Sequence, residues 1–64
     1  MNYKTRIERE AKVLRARIFR LMNFIESTEF DRLSLKHQQL LQQQRNVMIQ
    51  YYDILTLRKK DLGI

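Results

Sequence analysis

The chain contains no cysteine, no proline and no tryptophan, a single histidine (His37) and a single glycine, Gly63, next to its end. Each shortage removes options. Without Cys there are no disulfides and no thiolate metal sites, and one imidazole without a dense carboxylate cluster cannot build a zinc site. No metal or cofactor is expected. Without Pro, and with Gly only at position 63, nothing breaks a helix before the end. No apolar run approaches the ~18 residues of a membrane span. Charged residues follow directly on Met1-Asn2-Tyr3, without the ~7–15-residue apolar core of a signal peptide. The expectation is a soluble protein of a reducing cytosol that binds no membrane.

What is present is helix-forming and basic. The 64 residues suit one small domain, and a core of that size seldom contributes more than ~3–5 kcal/mol. With disulfides and metals excluded, association between chains is the remaining route to stability, so a homo-oligomer is expected. The net charge of +6 is uneven: residues 1–20 hold seven basic and two acidic side chains. Such asymmetry points to an anionic partner near the first helix, although a charge run is commonly no more than a solvated helix surface.

In the first segment Ile7, Ala11, Leu14, Ile18, Leu21 and Ile25 recur at steps of four and three, the seam of a helix lying along another at a shallow angle. The segment "ESTEFDRLS" (26–34) interrupts this rhythm. Ser34 is placed to cap the next helix, with Leu33 before it as a staple, and Phe30 and Leu33 are expected to plug the end of the core. The second segment carries two parallel heptad rows, Leu33–Leu40–Val47–Ile54 and Leu41–Met48–Leu55, with Tyr51 at the edge of that face. Arg58, Lys59 and Lys60 lie in its last turn, where cations favour a helix C-terminus. The expected fold class is all-α: an antiparallel two-helix hairpin over residues 1–64, with a helix at about 3–27, a turn at 28–34 and a helix at 35–60. Val13, Phe19, Ile49, Tyr52 and Leu57 lie off the main seams, more apolar surface than one contact covers. Assembly of hairpins into a homo-oligomeric bundle accommodates them.

No enzyme chemistry is expected. There is no nucleophile–His–acid set and no glycine-rich phosphate loop, and Glu8 and Glu10 point to different sides of a helix. His37 falls in the first turn of the second helix, where an exposed role is the plainer reading. The stretch "HQQLLQQQR" (37–45) holds five glutamines, mostly a solvated surface. Gln44 is the exception, placed between Leu41 and Val47–Met48 on the apolar face, where a buried amide needs partners. It either sets register against a neighbouring chain or reads a ligand's polar edge.

The basic residues of the first helix divide across the seam. Arg6, Arg17 and Arg20 share one flank with Val13 and Phe24; Lys4, Lys12 and Arg15 share the other with Phe19; Arg9 points outward. This pattern rims a seam on two sides, and in an oligomer arginines from facing helices converge into a concave phosphate site. Tyr3, Tyr51 and Tyr52 offer rings on which a base stacks, or are ordinary packing residues.

The pattern "RIERE…L…I..L.NFIES..F..LS...Q.LL..Q...M..Y..IL..R" resembles a widespread family of very short phage-encoded helical proteins related to a crAss-like phage gene product. The match runs from about residue 6 to residue 58. Its less generic parts are the turn F-I-x-S-x-x-F (Phe24, Ile25, Ser27, Phe30) and the run Q-x3-M-x2-Y (Gln44, Met48, Tyr51). The resemblance implies a phage protein acting against host defence in the cytoplasm of the infected bacterium. Specifically, it implies an anti-CBASS type sponge that binds a cyclic nucleotide immune signal without cleaving it. On that reading Arg6, Gln44, Tyr51 and Arg58 are the family-matching ligand residues, joined from the charge map by Arg17, Arg20 and Tyr3. Two other readings stand beside it: an oligomeric helical inhibitor of a host defence protein, and a small RNA- or DNA-binding bundle.

Overall fold

The structure, a computed structural model, describes residues 3–64. It consists of two long helices, α1 (Tyr3–Ile25) and α3 (Leu35–Asp61), joined through a four-residue helix, α2 (Thr28–Asp31). α2 lies within the stretch that the sequence reads as a turn. The molecule is a rod of 44 × 15 × 15 Å. α1 and α3 pack along one another, and the Tyr51 hydroxyl donates a hydrogen bond to the Glu10 carboxylate between them.

Local chemistry explains each boundary. The Ser27 hydroxyl donates to the Phe24 carbonyl (2.6 Å), terminating α1, and accepts from the Phe30 N–H (3.3 Å), starting α2. Ser34, with extended backbone, accepts from the His37 N–H at 3.1 Å and caps α3. The staple position one turn into α3 is held by Gln38, a polar residue. Its amide donates to the carbonyls of Phe30 (3.2 Å) and Leu33 (3.0 Å), tying the connection to the helix. α3 ends in a Schellman motif. The Ile64 N–H bonds the Lys59 carbonyl and the Gly63 N–H that of Lys60, which places Gly63 at φ 75°, where a side chain costs ~1–2 kcal/mol.

The core is small. Ile7, Ala11, Leu14 and Ile18 of α1, Phe30 of α2 and Leu55 of α3 are buried, while Leu21 and Ile25 continue the α1 seam half-buried. Phe24 and Phe30 meet edge to face, 6.3 Å between ring centres, closing the end of the rod. Leu55 is fully enclosed in a cluster with Ala11, Leu14 and Ile18, against which Met48 and Tyr52 pack.

Three sequence expectations shift here. Of the two heptad rows on α3, Leu41–Met48–Leu55 faces α1, whereas Leu40, Val47 and Ile54 stay 48%, 57% and 53% exposed. The rows lie about 100° apart on the helix, and the position of α1 decides between them. Tyr52, expected off the seam, packs on the core because it sits one turn from both Met48 and Leu55. Gln44, expected on the apolar face, is exposed: the buried face of α3 turns toward Met48, and the Gln44 amide stands 3.9 Å from the Met48 sulfur.

Candidate functional site

Helical spacing brings Arg6, Glu10, Val13 and Arg17 onto one flank of α1, each three or four residues from the next. Together with Arg9, Leu14 and, across the seam, Tyr51 of α3, they line an open groove of about 470 Å³. That volume lies within the range of small-ligand sites. Leu14 is buried and forms part of the floor; Val13 is exposed and forms part of the wall. The Tyr51 hydroxyl donates a hydrogen bond to the Glu10 carboxylate, connecting α3 to α1 across the groove. Glu10 therefore takes this bond from a phenol rather than from an arginine.

Three guanidinium groups against one carboxylate leave the groove cationic. Guanidinium is planar and always charged at ordinary pH, and it presents paired N–H donors that match two phosphate or carboxylate oxygens at once. Tyr51 adds an aromatic face, 38% exposed, beside these donors. The groove therefore combines donors for an anionic group with a ring for stacking.

Of the residues predicted from sequence, the structure brings Arg6, Arg17 and Tyr51 into this groove and leaves the others outside its lining. Arg20 lies one turn beyond Arg17 and is exposed. Gln44 lies two turns before Tyr51, and Arg58 two turns after it, both exposed on α3. Tyr3 is exposed in the first turn of α1.

Arg9, Glu10, Val13 and Leu14 also line the groove, beyond the residues that the sequence points to. Arg9, expected to point outward, borders the groove and also a shallower depression with Thr5, Glu8 and Lys12. Its long side chain reaches either side of its own helical position. The signal that could have found Glu10 is the one acid within an arginine flank spaced at helical steps. The opposite flank carries a smaller depression lined by Glu8, Ala11, Lys12, Arg15, Tyr52 and Lys59, in which an acid and several bases mix. There Arg15 stacks over Phe19 at 5.4 Å.

Among the described residues no helix is long and apolar enough to cross a membrane, and no group of three or more His, Cys, Asp or Glu is placed to hold a metal ion. A protein-family model described as Sequestin matches residues 1–61, nearly the whole chain. The chain belongs to the Sequestin family. The name Sequestin denotes sequestration, a holding of something bound; it states no conversion and names no ligand. No curated protein and no solved structure matches the chain significantly.

Proposed function

We propose that the protein is a phage counter-defence sponge, which binds a cyclic nucleotide immune signal of the CBASS type and withholds it uncleaved in the cytoplasm of the infected bacterium. The observation that carries this reading is the convergence of Arg6, Arg9 and Arg17 with the exposed ring of Tyr51 in one groove. A cyclic dinucleotide presents two phosphates and two bases, and such a groove offers guanidinium forks for the first and a stacking face for the second. Membership of a family named for sequestration supports binding as the whole activity. The working unit is a homo-oligomeric bundle of antiparallel hairpins. In it Arg20, Gln44, Arg58 and Tyr3, which stand outside the groove of one chain, join the ligand site at its rim.

The test is a thermal melt of the purified protein against cyclic di- and trinucleotides, with linear dinucleotides and short RNA as controls. A ligand that binds only the folded state at ~100 times its Kd stabilises by about 2.7 kcal/mol, and for a domain of this size each kcal/mol raises Tm by roughly 4–8 °C. A selective rise above 10 °C, with the nucleotide recovered intact by chromatography, is the expected result. A flat panel, or a response to RNA that collapses between low and moderate salt, refutes the sponge reading.

A further inference from the structure

A groove built for anions has an acid in its lining. Glu10 stands with Arg6, Arg9 and Arg17, four residues after the first and one after the second on α1. Its carboxylate accepts a hydrogen bond from the Tyr51 hydroxyl of α3, which ties it to the groove. We propose that Glu10 is the specificity-determining residue of this groove: its fixed charge favours nucleotides whose phosphates are all internal diesters over nucleotides that carry a terminal phosphate. The inference rests on the reading of the groove as a nucleotide site and adds which nucleotides it turns away.

Charge is what separates these two classes. A diester carries about one negative charge, and a terminal phosphate about 1.5–2 at pH 7. A cyclic dinucleotide therefore brings about two charges, its linear 5′-phosphorylated form about three, and a nucleoside triphosphate about four. Bases and sugars do not distinguish them. Arginines alone discriminate in the wrong direction for capturing a cyclic signal. Each guanidinium attracts every further charge, so a lining of Arg6, Arg9 and Arg17 without an acid favours the most highly charged nucleotide. A sponge of that kind fills with triphosphates and linear products.

Glu10 opposes that preference in proportion to ligand charge. Two like charges ~6–7 Å apart in water-like surroundings weaken binding roughly threefold. Relative to a cyclic dinucleotide, a ligand with one further charge then loses roughly threefold and a ligand with two further charges roughly tenfold. The partner of Glu10 matters to this effect. Tyr51 is a neutral donor, so it holds the carboxylate in place without neutralising it, as a bond from an arginine would. Position matters as well. Glu8, two residues earlier on α1, lines the shallower depressions that hold Lys12 and not the groove.

The test is calorimetric titration at low salt, where charge is least screened. The probes are cyclic di-AMP, cyclic di-GMP, the linear dinucleotides 5′-pApA and 5′-pGpG, and ATP. Glu10→Gln keeps a side-chain oxygen that accepts from Tyr51 and loses only the charge. Residue 10 is exposed, so the variant is expected to fold as the unmodified protein does, which circular dichroism checks. Glu10→Gln is expected to bind every probe more tightly. Its preference for a cyclic dinucleotide should fall about threefold against the linear form and about tenfold against ATP, while Glu8→Gln keeps the ratios of the unmodified protein. Unchanged ratios in Glu10→Gln, or equal shifts in Glu8→Gln, overturn the proposal and leave the sponge reading standing. Uniformly weaker binding by Glu10→Gln also overturns it, because Glu10 then serves the ligand as a hydrogen-bond acceptor. If neither cyclic dinucleotide binds the unmodified protein, the nucleotide reading falls and this inference with it.

Discussion

Leu55→Ala should destabilise the fold enough to unfold up to about half of the molecules at room temperature, and the structure sets the size of the effect. Leu55 is 0% exposed, and it fills the space between Ala11, Leu14 and Ile18. Truncating a buried Leu costs ~2–5 kcal/mol, the spread reflecting how far the neighbours collapse into the space. Met48, flexible and packed against this cluster, can move inward and hold the cost near 3 kcal/mol. A core this small supplies only ~3–5 kcal/mol in total. At the lower end the folded population falls from above about 99% to about half at room temperature. Leu57→Ala is the matched control: the same substitution, two residues along the same helix, at a side chain 65% exposed. Surface changes of this kind stay within about 0.5 kcal/mol. Thermal melts followed at 222 nm, each at two protein concentrations, separate the two variants. If Leu55→Ala and Leu57→Ala melt within a few degrees of one another, the core assigned here is not what holds the helices together.

Three further outcomes follow from named contacts. Ser34→Ala removes the acceptor of the His37 N–H and should lower stability by ~1 kcal/mol, or a Tm fall of roughly 4–8 °C, while Ser34→Asp should keep the cap. Gln38→Ala frees the carbonyls of Phe30 and Leu33 and should cost ~1 kcal/mol; hydrogen exchange should quicken at the Arg32 and Leu33 amides and not in the middle of α1. Arg6→Ala should leave the melting curve of the free protein within a degree or two and weaken cyclic dinucleotide binding by roughly 10–100-fold, the loss of one charge-assisted contact of ~1.5–3 kcal/mol. Equal binding by Arg6→Ala in calorimetry would remove that residue from the site.

Sequence periodicity was most informative where one helix's own pattern suffices. The α1 seam from Ile7 to Ile18 is buried as its spacing indicates, and Ser34 caps α3 because a serine hydroxyl before a helical run has an orphan N–H to satisfy. It was ambiguous wherever the answer depends on the partner helix. Leu40–Val47–Ile54 and Leu41–Met48–Leu55 are equally regular, and only the placement of α1 buries the second. The same rotation exchanges the roles expected of Tyr51 and Tyr52 and moves Gln44 into solvent. Gln38 was hidden among five similar glutamines; what distinguishes it is the position of three turn carbonyls, a property of the connection rather than of the amide. The groove is partly legible for the same reason. Arg6 and Arg17 share a flank by spacing alone, but Tyr51 joins them only through the register between α1 and α3.

The groove also explains why so small a chain tolerates so much like charge. Arg6 and Arg9, three residues apart on α1, disfavour one another by about 0.2–0.5 kcal/mol, while the buried apolar set among the described residues is six side chains. One carboxylate, Glu10, stands among the arginines, and it accepts a hydrogen bond from Tyr51 of α3. Removing one arginine would ease this repulsion by no more than that, so the free protein changes little, and on the proposed reading an anion in the groove offsets it. A binding protein gains from that imbalance. The anion relieves a repulsion already present, so the free energy of occupancy includes recovered stability as well as new contacts. A catalyst would need to favour a transition state over its substrate; on the proposed reading, a groove that relaxes on filling favours the bound state itself, which suits holding a ligand.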